Sequence, residues 1–172
     1  MASSEPESVV LDTSVLINFL AVDRMDVLAR HSGYRFVITD HVRGEVAAHY
    51  REQVERLNAA LVSGSITETR VEAIEELALF ARLIGSPRLG TGECAAIAAA
   101  AHRNHVLAID DKAARKAALS LKPALRILDT QALMVSLICG GVLSVEEADA
   151  IKTKWETKHS FALKVRSFGE LV

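Results

Sequence analysis

The sequence predicts an α/β fold, a three-layer α/β/α sandwich around a central, mainly parallel sheet. Two patterns predict it: short β-branched apolar runs alternate with helix-patterned segments, and most of the runs end at an Asp or Thr able to cap the helix that follows. Composition agrees, since half of the 172 residues are hydrophobic but only eight are aromatic and 26 are Ala, which favours helices with thin surfaces. A chain of this length suits one domain, expected over residues 1–172 with its core at about 8–140 and a C-terminal extension at 144–172.

The elements follow in order. Ser8 to Leu11 is a short apolar strand that meets Asp12, after which Thr13-Ser14 opens a helix through Leu20. Phe36-Val37-Ile38 is a second strand, and Thr39 or Asp40 caps a long helix carrying Val42, Val46, Tyr50, Val54, Leu57 and Leu61 to about Ser63-Gly64. An amphipathic helix is expected from about Thr69 to Ile84, ended by Gly85-Ser86-Pro87. Gly90-Thr91-Gly92 opens the next helix, whose run from Cys94 to Ala101 is thin enough for neighbours to approach closely, which places it at the centre of the fold. Val106 to Ile109 is a buried strand ending in Asp110-Asp111, followed by an Ala-rich helix to about Leu119. Arg126 to Leu128 makes one more strand before Asp129-Thr130 caps another helix. The last segment, Ser144 to Val172, reads as a helix to about His159 and then an edge strand or arm over Phe161 to Phe168.

Several classes fall away on composition. Twenty Lys and Arg against 22 Asp and Glu give a net charge of −2, without the basic footprint of a general nucleic-acid binder. That total conceals an asymmetry: residues 1–101 balance at −5 and residues 102–172 at +3, so a basic substrate track beside an acidic pocket is compatible with it. Cys94 and Cys139 form no disulfide framework or zinc spacing, and both sit in apolar surroundings where free thiols usually behave as small buried hydrophobes. Met1 to Ser8 is polar and acidic, unlike a signal peptide, and Ala132 to Val145 is too short and interrupted to span a membrane, so a cytoplasmic protein is expected.

In open α/β sheets ligands bind at the carboxyl ends of the strands. Asp12, Asp110 and Asp111 lie at strand ends, Glu93 in the first turn of the central helix, and Glu45 early in the helix after the second strand. Each alone is explained by capping and the helix macrodipole. Together, three or four carboxylates without matching cations would repel one another and raise their pKa values unless a metal neutralised them. Oxygen-only donors suit Mg²⁺ or Mn²⁺, and such a nest suits phosphate chemistry.

Val10 to Ile17, Thr39 through Glu45-Val46, Gly90 to Ala100 and Ala108 to Arg115 resemble the successive motifs of the PIN-domain nucleases, over about residues 8–130. The resemblance implies a PIN-like fold and a metal-dependent nuclease, usually an endoribonuclease acting on RNA, and often the VapC-like toxin of a toxin–antitoxin pair. It also implies Mg²⁺ or Mn²⁺ as cofactor, an antitoxin protein as partner and a homodimer as assembly. Residue by residue, Asp12, Glu45, Glu93 and Asp111 are similar to the family's acidic quartet, Asp110 is placed to share or replace the role of Asp111, and Ser14 resembles the small polar residue that supports the metal or its water. On that resemblance Asp12 and Asp111 hold the principal metal, Glu93 shares it or holds a second ion, and Glu45 orients or deprotonates the attacking water.

Other features are weighed against these. His41, Glu45 and His49 share a helix face, but no HExxH pairing is present, so they read as polar flanking positions. Arg115 follows Asp111 at ion-pair spacing and anchors the acidic loop; with Lys112 and Lys116 it is also a candidate substrate contact. Trp155 reads as a packing or interface residue. A haloacid-dehalogenase-like phosphatase would resemble Asp-x-Asp where position 14 is Ser, a receiver-like domain would carry its acidic pair early, and neither a P-loop nor GxGxxG occurs. A non-catalytic docking module remains as the alternative of a different class.

Overall fold

The computed structural model describes residues 5–172; residues 1–4, the start of the polar N-terminal stretch, lie outside the described residues. Five parallel strands form the sheet: β1 (Glu7–Leu11), β2 (Tyr34–Thr39), β3 (Thr67–Thr69), β4 (Val106–Ala108) and β5 (Ile127–Leu128), in the order β3-β2-β1-β4-β5. The chain builds outward from β1 to β3, then crosses back to place β4 on the other side of β1. The order therefore reverses between β1 and β4, and the crevice beyond their carboxyl ends is where a ligand binds in such sheets.

Strand alternation sends successive side chains to opposite faces and makes the three layers. Val9, Leu11, Val106 and Ala108 face a core shared with α1 (Thr13–Ala21), α2 (Met25–Ala29), α3 (Asp40–His49), α4 (Val54–Ser63), α8 (Thr130–Cys139) and α9 (Val145–Lys158). Val10, Leu107 and Ile109 face the other core, built with α5 (Ile74–Ile84), α6 (Thr91–Arg103) and α7 (Lys112–Leu121). The sandwich expected from the sequence is thus formed. The α6 run from Cys94 to Ala100 is fully buried, and its Ala side chains let it touch α3, α5 and three strands.

Four expectations are corrected. The helix expected from Asp40 to about Gly64 is broken: α3 ends at His49, Tyr50 leaves the helical region at φ −131° and ψ 53°, and a 3-10 turn (Arg51–Gln53) leads into α4. A straight helix of that length would extend about 36 Å; the break instead lets Leu57 and Ala60 bury in the same core as Val42 and Val46. The amphipathic helix expected from Thr69 starts at Ile74, because Thr67–Thr69 pairs with β2 as a polar edge strand. No strand forms over Phe161 to Phe168. Asp149 on α9 instead accepts from Ser167 Oγ at 2.6 Å and Phe168 N at 2.8 Å, a 3-10 turn follows at Phe168–Glu170, and Phe168 seals the core. Cys94 is buried as expected, but Cys139, at the end of α8, is exposed.

Trp155 is a packing residue. It is fully buried, meets Phe19 edge-on at 6.1 Å and donates its indole N–H to the Asn18 carbonyl at 2.6 Å. Among the described residues no helix is long and apolar enough to cross a membrane.

Candidate metal and phosphate site

The site grows from the turn after β1. Asp12 N donates to the Ala108 carbonyl at 2.9 Å, extending the β1–β4 ladder by one residue, and the side chain then caps α1. Its Oδ2 accepts from Ser14 Oγ at 2.7 Å and Ser14 N at 3.3 Å. Its Oδ1 is buried without a hydrogen-bond partner, although the residue is only 1 % exposed. Burial raises the Asp12 carboxyl above the usual carboxylate range, and the hydrogen bonds from Ser14 only partly offset that.

Glu45 ties the middle of α3 to two helix starts. Its Oε2 accepts from Thr13 Oγ1 at 2.6 Å and its Oε1 from Gly92 N at 2.7 Å, so one carboxylate joins α3 to the first turns of α1 and α6. Gly92 leaves room for Glu45 in this position: a Cβ there would stand 2.5 Å from Glu45 Oε2 and 2.7 Å from Cδ, so the carboxylate would have to move. Glu93 lies one residue on, with Oε2 accepting from Gly90 N at 2.9 Å in a capping arrangement. Burial first, and then the negative charges of Asp12, Asp111 and Glu45, raise the Glu93 carboxyl. These groups line a cleft of about 350 Å³ that also takes in Ser14, His49 and Tyr50.

The two acids after β4 divide. Asp111 is exposed and caps α7, accepting from Ala114 N at 2.8 Å; it acts on Glu93 through its charge but does not line the cleft. Asp110 faces elsewhere. Its Oδ1 accepts from Thr130 N at 2.7 Å, and its Oδ2 from Thr130 Oγ1 at 2.7 Å and Asn18 Nδ2 at 3.1 Å, so its lone pairs are committed to holding α8 and α1. Asp110 thus ties α8 and α1 to the turn after β4 and does not line the cleft.

The basic candidates stand apart from the cleft. Lys112 and Lys116 are exposed on α7, while Arg115 pairs with Asp129 at 3.4 Å and reaches the Ile109 carbonyl at 3.5 Å. The expected Asp111–Arg115 pair does not form; Asp111 is occupied at the cap, and the guanidinium braces the turn after β4 from its other side. A larger hollow of about 540 Å³ between α2 and α4 contains Arg56, whose guanidinium donates to the Leu20 and Ala21 carbonyls and so closes the end of α1. Its charge serves the fold.

Thr13, Gly92, Asn18 and Thr130 hold these acids and were not among the residues singled out from sequence. Gly92 carried a readable sign, a glycine within the first turn of a helix where Ala would be favoured by about 1 kcal/mol. The hydroxyls and Asn18 carried none, because each acts across more than 30 positions of chain or as a cap-like Thr among many.

Among the described residues no three His, Cys, Asp or Glu side chains are arranged so as to hold a metal ion together. The donor chemistry nonetheless fits a hard divalent cation of the kind held by one or two carboxylates and otherwise by water. Asp12 Oδ1 is a buried carboxyl oxygen without a partner, and burial, followed by the charges of Asp12, Asp111 and Glu45, raises the Glu93 carboxyl. Asp12 and Glu93 are the cleft residues that would hold such an ion.

Comparison with known proteins agrees with this architecture. Two solved structures share the fold at low identity. One, a PilT N-terminus domain protein from the archaeon Sulfolobus solfataricus P2, aligns with a TM-score of 0.53 and 16 % identity over 76 % of this chain and 93 % of that one. The other, PAE2754 from Pyrobaculum aerophilum, aligns with a TM-score of 0.53 and 15 % identity over 81 % and 94 %. VapBC2 from Rickettsia felis, solved with a promoter DNA fragment, aligns with a TM-score of 0.48 and 11 % identity over 71 % and 98 %. No curated protein matches the chain. The DUF3368 family model, described as a PIN domain, matches residues 8–154. That match takes in all five strands apart from the first residue of β1 and the whole carboxylate cleft, and the chain therefore belongs to the PIN-domain family.

Proposed function

We propose that this chain is a Mg²⁺- or Mn²⁺-dependent endoribonuclease that hydrolyses RNA phosphodiester bonds, with residues 1–172 acting as one cytoplasmic domain. The observation that supports it most is Asp12 Oδ1, a buried carboxylate oxygen without a hydrogen-bond partner at the wall of a cleft shared with Glu45 and Glu93. An unsatisfied buried acceptor costs about 1–3 kcal/mol, more when charged, and a cation would remove that cost. When bound, a divalent ion supplies Lewis-acid polarisation of the phosphoryl oxygen and lowers the pKa of water.

The chain's own groups do the rest. Ser14 holds Oδ2 of Asp12 and so fixes the carboxyl group, while Oδ1 receives no donor. Asp12, Glu93 and Asp111 are the proposed metal-holding residues. Glu45, held rigid by Thr13 and Gly92, orients the attacking water and is placed to take its proton as the P–O bond to the leaving ribose oxygen breaks. Lys112 and Lys116 on α7, with Arg115, are proposed contacts to the RNA backbone. The resemblance further supports a toxin role, with an antitoxin protein as partner and a homodimer as assembly.

Cleavage of total RNA tests the reading. Wild-type protein should cut with Mg²⁺ or Mn²⁺, stop in chelator and show a metal-dependent rise in melting temperature that Asp12→Asn lacks. Undiminished cutting by rigorously purified Asp12→Asn protein would end it, and binding of a protein partner unaffected by chelator, with no RNA cut, would favour the docking module.

A further inference from the structure

We infer that Tyr50 is a stacking platform for a nucleobase flanking the phosphate in the carboxylate cleft. The inference rests on the nuclease reading above and adds a residue to it. Tyr50 and His49 line both the carboxylate cleft and a second hollow of about 360 Å³ formed by residues 48–53, so the residue stands on the partition between them.

Its backbone is held on both sides. Tyr50 N donates to the Val46 carbonyl at 2.9 Å, and the Tyr50 carbonyl accepts from Gln53 N at 2.8 Å. The backbone at the helix break is thus pinned at this residue.

The other aromatic side chains are committed. Phe19, Phe36, Trp155 and Phe168 are buried, Tyr34 stacks on His31 at 4.5 Å, Phe80 lies against His41 at 4.9 Å, and Phe161 meets Trp155 at 5.4 Å. Tyr50 is 41 % exposed and packs on no other aromatic ring among the described residues. Apart from His49, the remaining walls of the carboxylate cleft are carboxylates, hydroxyls and a glycine. The ring is the one broad π surface there, which a base can use whatever its identity. Arg51, exposed in the second hollow, supplies a cation for the next phosphate, beside Glu52. In a duplex the base faces are stacked on one another and closed to such a ring.

The test uses the full chain carrying Asp12→Asn to prevent cutting, and fluorescein-labelled oligoadenylate, free or annealed to its complement, in chelator. Tyr50→Ala should weaken binding of the single strand about tenfold, Tyr50→Phe and Tyr50→Trp should keep it within about twofold, and the duplex should bind more weakly and ignore all three changes. In the cleaving protein, Tyr50→Ala should raise KM with kcat nearly unchanged, and Tyr50→Trp should restore it. Single-strand binding equal in Tyr50→Ala and the parent, or no RNA binding by any form, overturns the platform. Wild-type cleavage measured alongside separates the two readings: Tyr50-dependent binding without cleavage supports the platform and sinks the nuclease, whereas cleavage with Tyr50-independent binding sinks the platform alone.

Discussion

Asp12 and Asp110 leave the carboxyl ends of adjacent parallel strands, β1 and β4, and their hydrogen-bonding surroundings differ sharply. Asp110 receives three donors, from Thr130 N, Thr130 Oγ1 and Asn18 Nδ2, and so joins α8 to α1. Asp12 receives Ser14 on one oxygen and leaves the other buried and bare. A fold selected for stability alone would satisfy both, because an unpaired buried acceptor is expensive. The expense is tolerated at Asp12 and avoided at the end of the neighbouring strand, and this is the ground on which Asp12 is proposed as the functional group.

The largest effect expected from this contrast belongs to Asp12→Asn. RNA cleavage should fall at least about 100-fold, since loss of a residue that only supports a metal ligand already costs 10–100-fold. Melting temperature should hold or rise, because the amide is neutral and its oxygen still accepts from Ser14. A variant that loses activity by unfolding would show instead that Asp12 is a structural tie like Asp110.

Next in size is Gly92→Ala. The added Cβ would displace Glu45, which it would meet at 2.5 Å, while Ala itself suits the helix. Cleavage should drop about 10–100-fold with thermal stability preserved; full activity in steady-state assays would mean that Glu45 is not needed where it stands.

Asp110→Ala should reverse the pattern. Leaving Asn18 and Thr130 without their acceptor should lower stability by about 1–3 kcal/mol in urea unfolding, while kcat per folded molecule changes little. A large loss of kcat in fully folded protein would restore Asp110 to the metal site.

The smallest effect is a difference in pH dependence. Burial raises the carboxyls of Asp12 and Glu93 in the fold, so their contribution is fully present below the unfolded values of 3.8 and 4.5 and is lost as pH rises through the folded ones. Burial lowers His31, so its contribution is present above 6.5 and is lost as pH falls through its folded value. Its Nδ1 accepts from Gly33 N and Tyr34 N, and its Nε2 meets Ser136 Oγ at 2.8 Å. Melting temperatures taken from about pH 7 to pH 5 should therefore fall less steeply in His31→Gln than in the parent, and more steeply in Asp12→Asn. Parallel curves for all three would contradict these assignments.

Much of this was legible in the sequence because it is local. The strand-acid-helix pattern at Asp12, the capping at Asp111 and Asp129, the thin run of α6 and the parallel layering all follow from periodicity and caps within a few residues. The misses have physical reasons. Thr67–Thr69 is a strand through its pairing with β2 and carries no apolar alternation. The apolar spacing from Val42 to Leu61 continues through Tyr50, so periodicity cannot reveal a helix broken by the need to turn two segments onto one core. The C-terminal arm is held by a side chain, Asp149, rather than by a sheet edge.

The sequence by itself determined which carboxylates stand at strand and helix ends, since a cap is decided within one turn of chain. Only the tertiary structure decided which of them were left with a bare oxygen. Asp110 meets Asn18 from 92 positions away, and Thr13 and Gly92 clamp Glu45 from 32 and 47. Hydrogen-bond satisfaction depends on which donors packing brings within about 3 Å, and no local pattern contains that information.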